Sequence, residues 1–272
     1  MNSQTILAGL GAALLAATLL VAGFAVCCLP ATTQTLAQAM STGDDSPYTH
    51  DELVPLAVAT RAFTVDAVPD RAAAADGLAG LVVQTAREAS AEGAPKAPLW
   101  TTPAKEAIAD EAASPTEAME ALAQVGDRYA LDADAMSHLE DCNRLITGVS
   151  SWLGMIAVAA LLVAAVLLFQ KHYAALAFML RMGPAFLVAV LAVLAVWGIV
   201  DFNGLFAVFH SLFFVDGTWT FNYDSLLISM YPIDFWMGMG AVWVASAVGC
   251  GLICFALGCV AAWRAQIQQR RA

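Results

Sequence analysis

The sequence has little charge, and the charge it has is confined to a few segments. Asp, Glu, Lys and Arg make up only 13% of its 272 residues, against 60% hydrophobic, a charged share about half that of an average soluble domain. The apolar residues cluster instead of alternating. Four stretches carry no charge at all: 5–29, 148–169, 184–200 and 237–263. Each approaches or exceeds the length needed to cross roughly 30 Å of hydrocarbon, the third being the shortest. Lys and Arg are absent from Met1 to Gln4, and the apolar run that follows is longer than the h-region of a secretory signal. Ala37-Gln38-Ala39 has the small-x-small form of a cleavage site, yet a retained signal anchor is the expectation. Acids are absent from 170–183 and from the tail after Trp263, where Lys171, Arg181, Arg264, Arg270 and Arg271 lie. All 23 acids fall in 30–147 or 201–235. Short basic loops stay in the cytoplasm, which predicts cytoplasmic termini and extracytoplasmic 30–147 and 201–235. The net charge of −11 then sits on the outer side, which excludes nucleic acid as a partner and argues against anionic lipid there.

Other absences narrow the function classes. No H-E-x-x-H pair is present, as a zinc hydrolase commonly shows, and the six cysteines form no metal pattern. Cys250, Cys254 and Cys259 read as small packing residues of the last apolar stretch. Cys27, Cys28 and Cys142 fall near the predicted outer face, where a disulfide between two of them is one alternative. With no ionisable residue interrupting the four stretches as drawn, a transporter is disfavoured. The fold class expected is therefore an all-α integral membrane protein of about four transmembrane helices. Its parts are 1–29 (transmembrane helix 1), 30–147 (an extracytoplasmic segment with amphipathic or interfacial helices) and 148–272 (transmembrane helices 2 to 4).

Within 30–147, the part from about Arg71 to Glu120 is rich in Ala with scattered Pro, Glu and Asp. With few aromatics from which to build a core, it predicts short amphipathic helices on the membrane surface and no independent domain. Thr49, followed by Asp51 and Glu52, predicts a helix start. Asp132 or Asp134 can cap a helix running into the second span, with Met136, Leu139 and Leu145 facing the membrane and His138 and Asp141 sharing a face at i, i+3. In 201–235, Phe202, Leu205, Phe206, Phe209, Leu212 and Phe213 form one apolar stripe of an interfacial helix, with His210 at its edge beside Asn203.

The run FNGLFAVFHSLFFVDGTWTFNYDSLLISMYPIDFW, Phe202 to Trp236, resembles the most recognisable block of the bacterial lipoprotein intramolecular transacylases, four-helix integral membrane proteins. That block reads approximately F-x-x-x-F-H-x-L-F-F, then D-x-W-x-F, D-x-L-I and P-x-x-F-W. MSHLEDCNRL is similar to the family's His-Met-x-Asp-Val pattern, with Leu139 and Cys142 in place of Met and Val and with His138 and Asp141 kept. The resemblance covers roughly two thirds of the chain and leaves the stretch 71–120 unmatched. It implies a diacylated lipoprotein substrate, whose sn-2 ester acyl chain is moved to the α-amine of the N-terminal cysteine to give the lyso-form. No metal and no cofactor are implied, and the expected setting is the bacterial cell membrane with the site on its extracytoplasmic side.

Aminolysis of an ester needs a neutral amine, and the α-amine (about 7.7–8) and imidazole (about 6.5) suit each other as acid and base. The resemblance makes His210 and His138 the catalytic candidates. Asp141 is either the acceptor that fixes the tautomer of His138 or a solvated acid on a helix face. His50 and His172 read as surface residues. Asp216 either forms a turn with Gly217 or recognises an amine or Arg. Trp219 and the phenylalanines Phe206, Phe209 and Phe213 belong first to an aromatic belt, and after that to an acyl groove that would include Asn203. The competing classes are a non-catalytic polytopic protein and a metal-dependent membrane hydrolase using His138, Asp141 and His210.

Overall fold

The computed structural model describes residues 3–41 and 45–271, and no strand occurs among them. The helices run α1 Ser3–Cys27, α2 Pro30–Met40, α3 His50–Val65, α4 Arg71–Ser90, α5 Thr102–Ala107, α6 Pro115–Val125, α7 Ala133–Phe169, α8 Tyr173–Val200, α9 Phe202–Ser211, α10 Leu226–Met230 and α11 Ile233–Arg271. They sort into two compact units, one of Met1–Cys27, Val149–Phe209 and Gly240–Ala272, the other of Cys28–Gly148 and His210–Met239.

The first unit is built from long apolar helices. By length and composition α1, α7, α8 and α11 can each cross a membrane, and the shortest, with 25 residues, spans about 37 Å at 1.5 Å per residue. Their outward faces expose Leu161, Ile199 and Val200, as hydrocarbon solvent requires. Leu15, Leu19, Leu167, Met179 and Leu187 fill the interior. Small residues let the backbones approach. A Cβ on Gly23 would lie 2.7 Å from the Trp243 carbonyl oxygen, and Trp243 Nε1 donates to Leu20 O at 2.9 Å. One boundary departs from expectation. The helix predicted from 184 begins at Tyr173, and residues 170–183 are mostly helical instead of a loop. Pro184 lies inside α8, where it is buried; tertiary packing outweighs the single amide donor it lacks. Arg181 is thereby helical, with its guanidinium 5.5 Å from the centre of the Phe255 ring.

The second unit has a substantial core, which corrects the expectation for 71–120. Helix α4 is capped by Asp70, which accepts from Ala73 N at 2.9 Å, and α6 by a reciprocal Ser114–Glu117 capping box. These helices bury Leu78, Val82, Val83, Ala86, Met119 and Leu122. Alanine supplies little apolar area of its own but lets neighbouring helices close on one another, so the few larger side chains suffice. Most of the aromatic content comes from flanking segments: the Trp100 ring lies 5.4 Å from Tyr48 and 5.0 Å from Tyr129. Trp100 Nε1 donates to Pro47 O at 3.0 Å, and the Tyr48 hydroxyl donates to Tyr129 O at 2.5 Å. Their polar atoms are thus satisfied inside the core.

Thr49 caps α3 in a capping box with Glu52, as the sequence predicts. Asp132 caps α7, accepting from Ala135 N at 2.8 Å. Met136 and Leu139, expected to face the membrane, pack into the core of this unit instead. None of the six cysteines is joined in a disulfide in this structure, Cys27, Cys28 and Cys142 included.

Candidate active site

His138 lies near the start of α7, in the polar part that precedes the apolar run. The rotation of α7 is fixed from its opposite flank. Buried Asn143 donates to the carbonyls of Phe63, Thr64 and Asp66 at the end of α3, at 3.4, 3.2 and 3.0 Å. Arg71 links Glu140, at 3.2 Å, to Phe63 O, at 2.7 Å, with its guanidinium 4.0 Å from the Phe63 ring centre. The free carbonyls at the end of α3 are thereby satisfied by Asn143, from the helix that bears the histidine, and by Arg71 at the start of α4.

His210 comes from the end of α9, where it is the buried residue of an otherwise exposed or half-exposed helix. The apolar stripe of this segment is open: Phe209, Leu212 and Phe213 are half-exposed or more. What buries His210 is the chain that follows it. The amides of Phe213 and Phe214 both donate to His210 O, at 3.0 and 2.8 Å, turning the chain back. A second reversal has Thr218 N donating to Val215 O at 3.2 Å, with Gly217 at φ 88°, a value L-residues avoid. Asp127 holds the returning segment, accepting from Asn222 Nδ2 at 2.6 Å and, through its carbonyl, from Leu226 N at 2.8 Å.

These reversals pack a cluster of aromatic rings around both histidines. The centres of the His138 and His210 rings are 6.1 Å apart. Phe214 lies 4.9 Å from His138 and 5.7 Å from His210. Phe221 flanks His138 at 5.6 Å, and Trp219 stacks on His210 at 4.9 Å with the planes 30° apart. Each histidine is 9% exposed. Burial pushes the His138 imidazolium down to about 4, the neighbouring His210 adds to this, and Asp141 opposes it. Desolvation outweighs the nearby carboxylate, so His138 stays neutral through the physiological range.

The remaining candidates are less concentrated. Asp141 is half-exposed and pairs with Arg144 at 3.3 Å. His138 Nδ1 has no hydrogen-bond partner among the described residues, and its Nε2 faces the Cys142 sulfur at 3.5 Å. Asp141 therefore acts on His138 through charge and not as its acceptor. Asp216 is exposed in the Gly217 turn. Phe213 is half-exposed against Phe214, at 6.5 Å. Asn203, Phe206 and Phe209 belong to the other unit; Asn203 is exposed there, and Phe206 stacks on Phe202 at 6.0 Å. His50 is held by Ser41, whose hydroxyl lies 2.9 Å from Nδ1, and His172 faces Gln4 at 3.1 Å. The sequence does not single out Phe214 and Phe221 as site residues, though both lie in the quoted aromatic block, and it offers Cys142, which stands where the family pattern has Val, only for a disulfide. Among the described residues, no group of three His, Cys, Asp or Glu side chains converges as a metal site.

The cluster joins both sequence blocks that carried the resemblance. Residues 115–236, which hold both histidines, match the family model of the lipoprotein intramolecular transacylase Lit. This segment belongs to the Lit family. The Lit family is one of intramolecular acyltransferases, membrane-integral proteins of lipoprotein maturation. Three solved structures are similar, all in meso structures of the membrane-integral Lit of Bacillus cereus. A variant with one histidine replaced by alanine has a TM-score of 0.62 at 13% identity, over 97% of this chain and 96% of that one. A second structure gives 0.58 at 14%, over 98% and 96%. A histidine-to-arginine variant gives 0.61 at 13%, over 97% and 93%. The chain thus has the Lit fold along nearly its whole length. A search of curated proteins finds no match.

Proposed function

We propose that this chain is a lipoprotein intramolecular transacylase of the cell membrane, acting from the extracytoplasmic side on diacylated lipoproteins. The observation that carries the site assignment is the pairing of His138 and His210, from distant parts of the sequence, in one buried aromatic cluster with ring centres 6.1 Å apart. Donor ester and acceptor amine belong to one substrate, so the enzyme needs to hold carbonyl carbon and nitrogen in contact and exclude water. A base removes a proton from the α-amine. The nitrogen attacks the sn-2 ester carbonyl, the ester C–O bond breaks, and the glyceryl oxygen leaves with a proton. The products are an N-acyl cysteine and a free sn-2 hydroxyl, with no external acyl donor consumed.

Trp219, Phe214 and Phe221 supply the apolar wall against which an acyl chain can lie. Phe213 extends apolar surface for the lipid, and Asp216 offers a polar contact at its edge. The test is mass spectrometry of lipoprotein N-termini in cells lacking tailored acyltransferases, with and without this protein. Lyso-form peptides should appear only with it; unchanged diacyl peptides would overturn the assignment. Purified protein treated with strong chelators should retain its activity, and loss restored by zinc would instead make His138, Asp141 and His210 metal ligands.

A further inference from the structure

Cys142 follows His138 by one turn of α7, with its sulfur 3.5 Å from Nε2. The other ring nitrogen, Nδ1, is buried and has no hydrogen-bond partner among the described residues. A neutral imidazole carries one N–H and one bare nitrogen. Thiol sulfur is a poor acceptor, whereas a bare imidazole nitrogen is a good one, so the favourable arrangement has the S–H donating to Nε2. The proton of His138 is then on Nδ1. The thiol remains a donor at any working pH, because burial and the charge of Asp141 push it up to about 12. His138 therefore carries a buried N–H for which the described protein offers no acceptor. A buried donor left in this state is costly, and a reaction that builds negative charge on oxygen supplies what is missing.

We propose that Cys142 is a positioning residue: its thiol fixes His138 in the Nδ1–H tautomer, so that His138 donates to the oxyanion of the tetrahedral intermediate while His210 takes the proton of the α-amine. This rests on the transacylase reading above. His138 keeps its own proton throughout, and the proton accepted by His210 passes to the leaving glyceryl oxygen as the C–O bond breaks. A hydrophobic residue at position 142 would fill the space but leave the tautomer of His138 unbiased.

The experiment uses full-length protein labelled with ¹⁵N-histidine in lipid nanodiscs, with the His138 signals assigned by comparison with His138→Gln. The expected wild-type spectrum has a protonated, pyrrole-type Nδ1 and an unprotonated Nε2 on His138. Cys142→Ala should move the population toward Nε2–H and Cys142→Ser should keep it on Nδ1. In acyl transfer, Cys142→Ala should lower kcat with KM unchanged, by a part of the roughly 10²–10³-fold typical for one lost oxyanion donor, and Cys142→Ser should recover the loss. A wild-type His138 protonated on Nε2, or a tautomer unmoved by Cys142→Ala, overturns the inference. Failure of the wild type to convert diacylated lipoprotein overturns the transacylase reading instead, and the two failures are read from separate measurements.

Discussion

At the scale of single residues, the cluster separates four histidines into two kinds. His210→Ala and His138→Ala should each reduce conversion of diacyl to lyso-form lipoprotein by about 10²–10⁴-fold at unchanged protein level. His50→Ala and His172→Ala, whose rings meet Ser41 and Gln4, should stay near wild type; mass-spectrometric rates over long reaction times distinguish slow from dead. The pH dependence follows from His138, whose folded value of about 4 lies below its ordinary 6.5. Between these values the unfolded chain binds a proton that the native one does not, so stability falls as pH drops from about 6.5 toward 4 and is flat above. Thermal melts across that window check the sign, and His138→Phe should flatten the slope. Because His138 is already neutral near pH 7, no rise of rate with pH near neutrality should belong to it. A rate profile whose neutral-range rise disappears only in a His138 variant of measurable residual activity would contradict this. The histidine candidates were legible because two short blocks resemble a family pattern. The thiol against Nε2 was not, since nothing in the spacing of His138 and Cys142 says which ring nitrogen meets the sulfur.

At the scale of elements, the site depends on how α7 is held and on how the chain folds back after α9. Asn143→Ala strips the carbonyls of Phe63, Thr64 and Asp66 of a buried donor and should cost about 1–3 kcal/mol, read as a lowered melting temperature, with activity falling because α7 is free to rotate. Trp100→Ala should cost more, about 3–5 kcal/mol, since it empties the aromatic centre of the second unit and orphans the carbonyl of Pro47. Gly23→Leu in the apolar bundle should be as damaging as a core overpacking, about 1–3 kcal/mol, because the added carbon meets the backbone oxygen of Trp243. Some of this was readable locally. The Thr49 capping box and the Asp132 cap follow from side-chain chemistry within one turn. The start of α8 did not, because Pro184 resembles a boundary by every local rule and sits within a helix by virtue of packing. The alanine-rich stretch misled for the same reason: composition measures apolar area, whereas the core there depends on how closely α4 and α6 approach.

At the scale of the whole molecule, the asymmetric charge makes a prediction about orientation that can be checked directly. In a background without native cysteines, a cysteine at Glu92 or Asp216, both exposed, should be labelled by an impermeant reagent from outside. One at Lys171, in the turn before α8, should react only after permeabilisation. The reverse pattern would remove the extracytoplasmic site. The sequence by itself determined the four apolar stretches, the distribution of charge and the two histidine candidates, because hydropathy and short motifs are properties of neighbouring residues. The tertiary structure alone decided that His210 is buried while the phenylalanine stripe of its own helix is open, and that residues 71–120 help to build a core. Each of these depends on chain segments that meet only when the loop after α9 closes or when helices remote in sequence pack, and desolvation, unlike hydropathy, is set by what arrives from elsewhere in the fold.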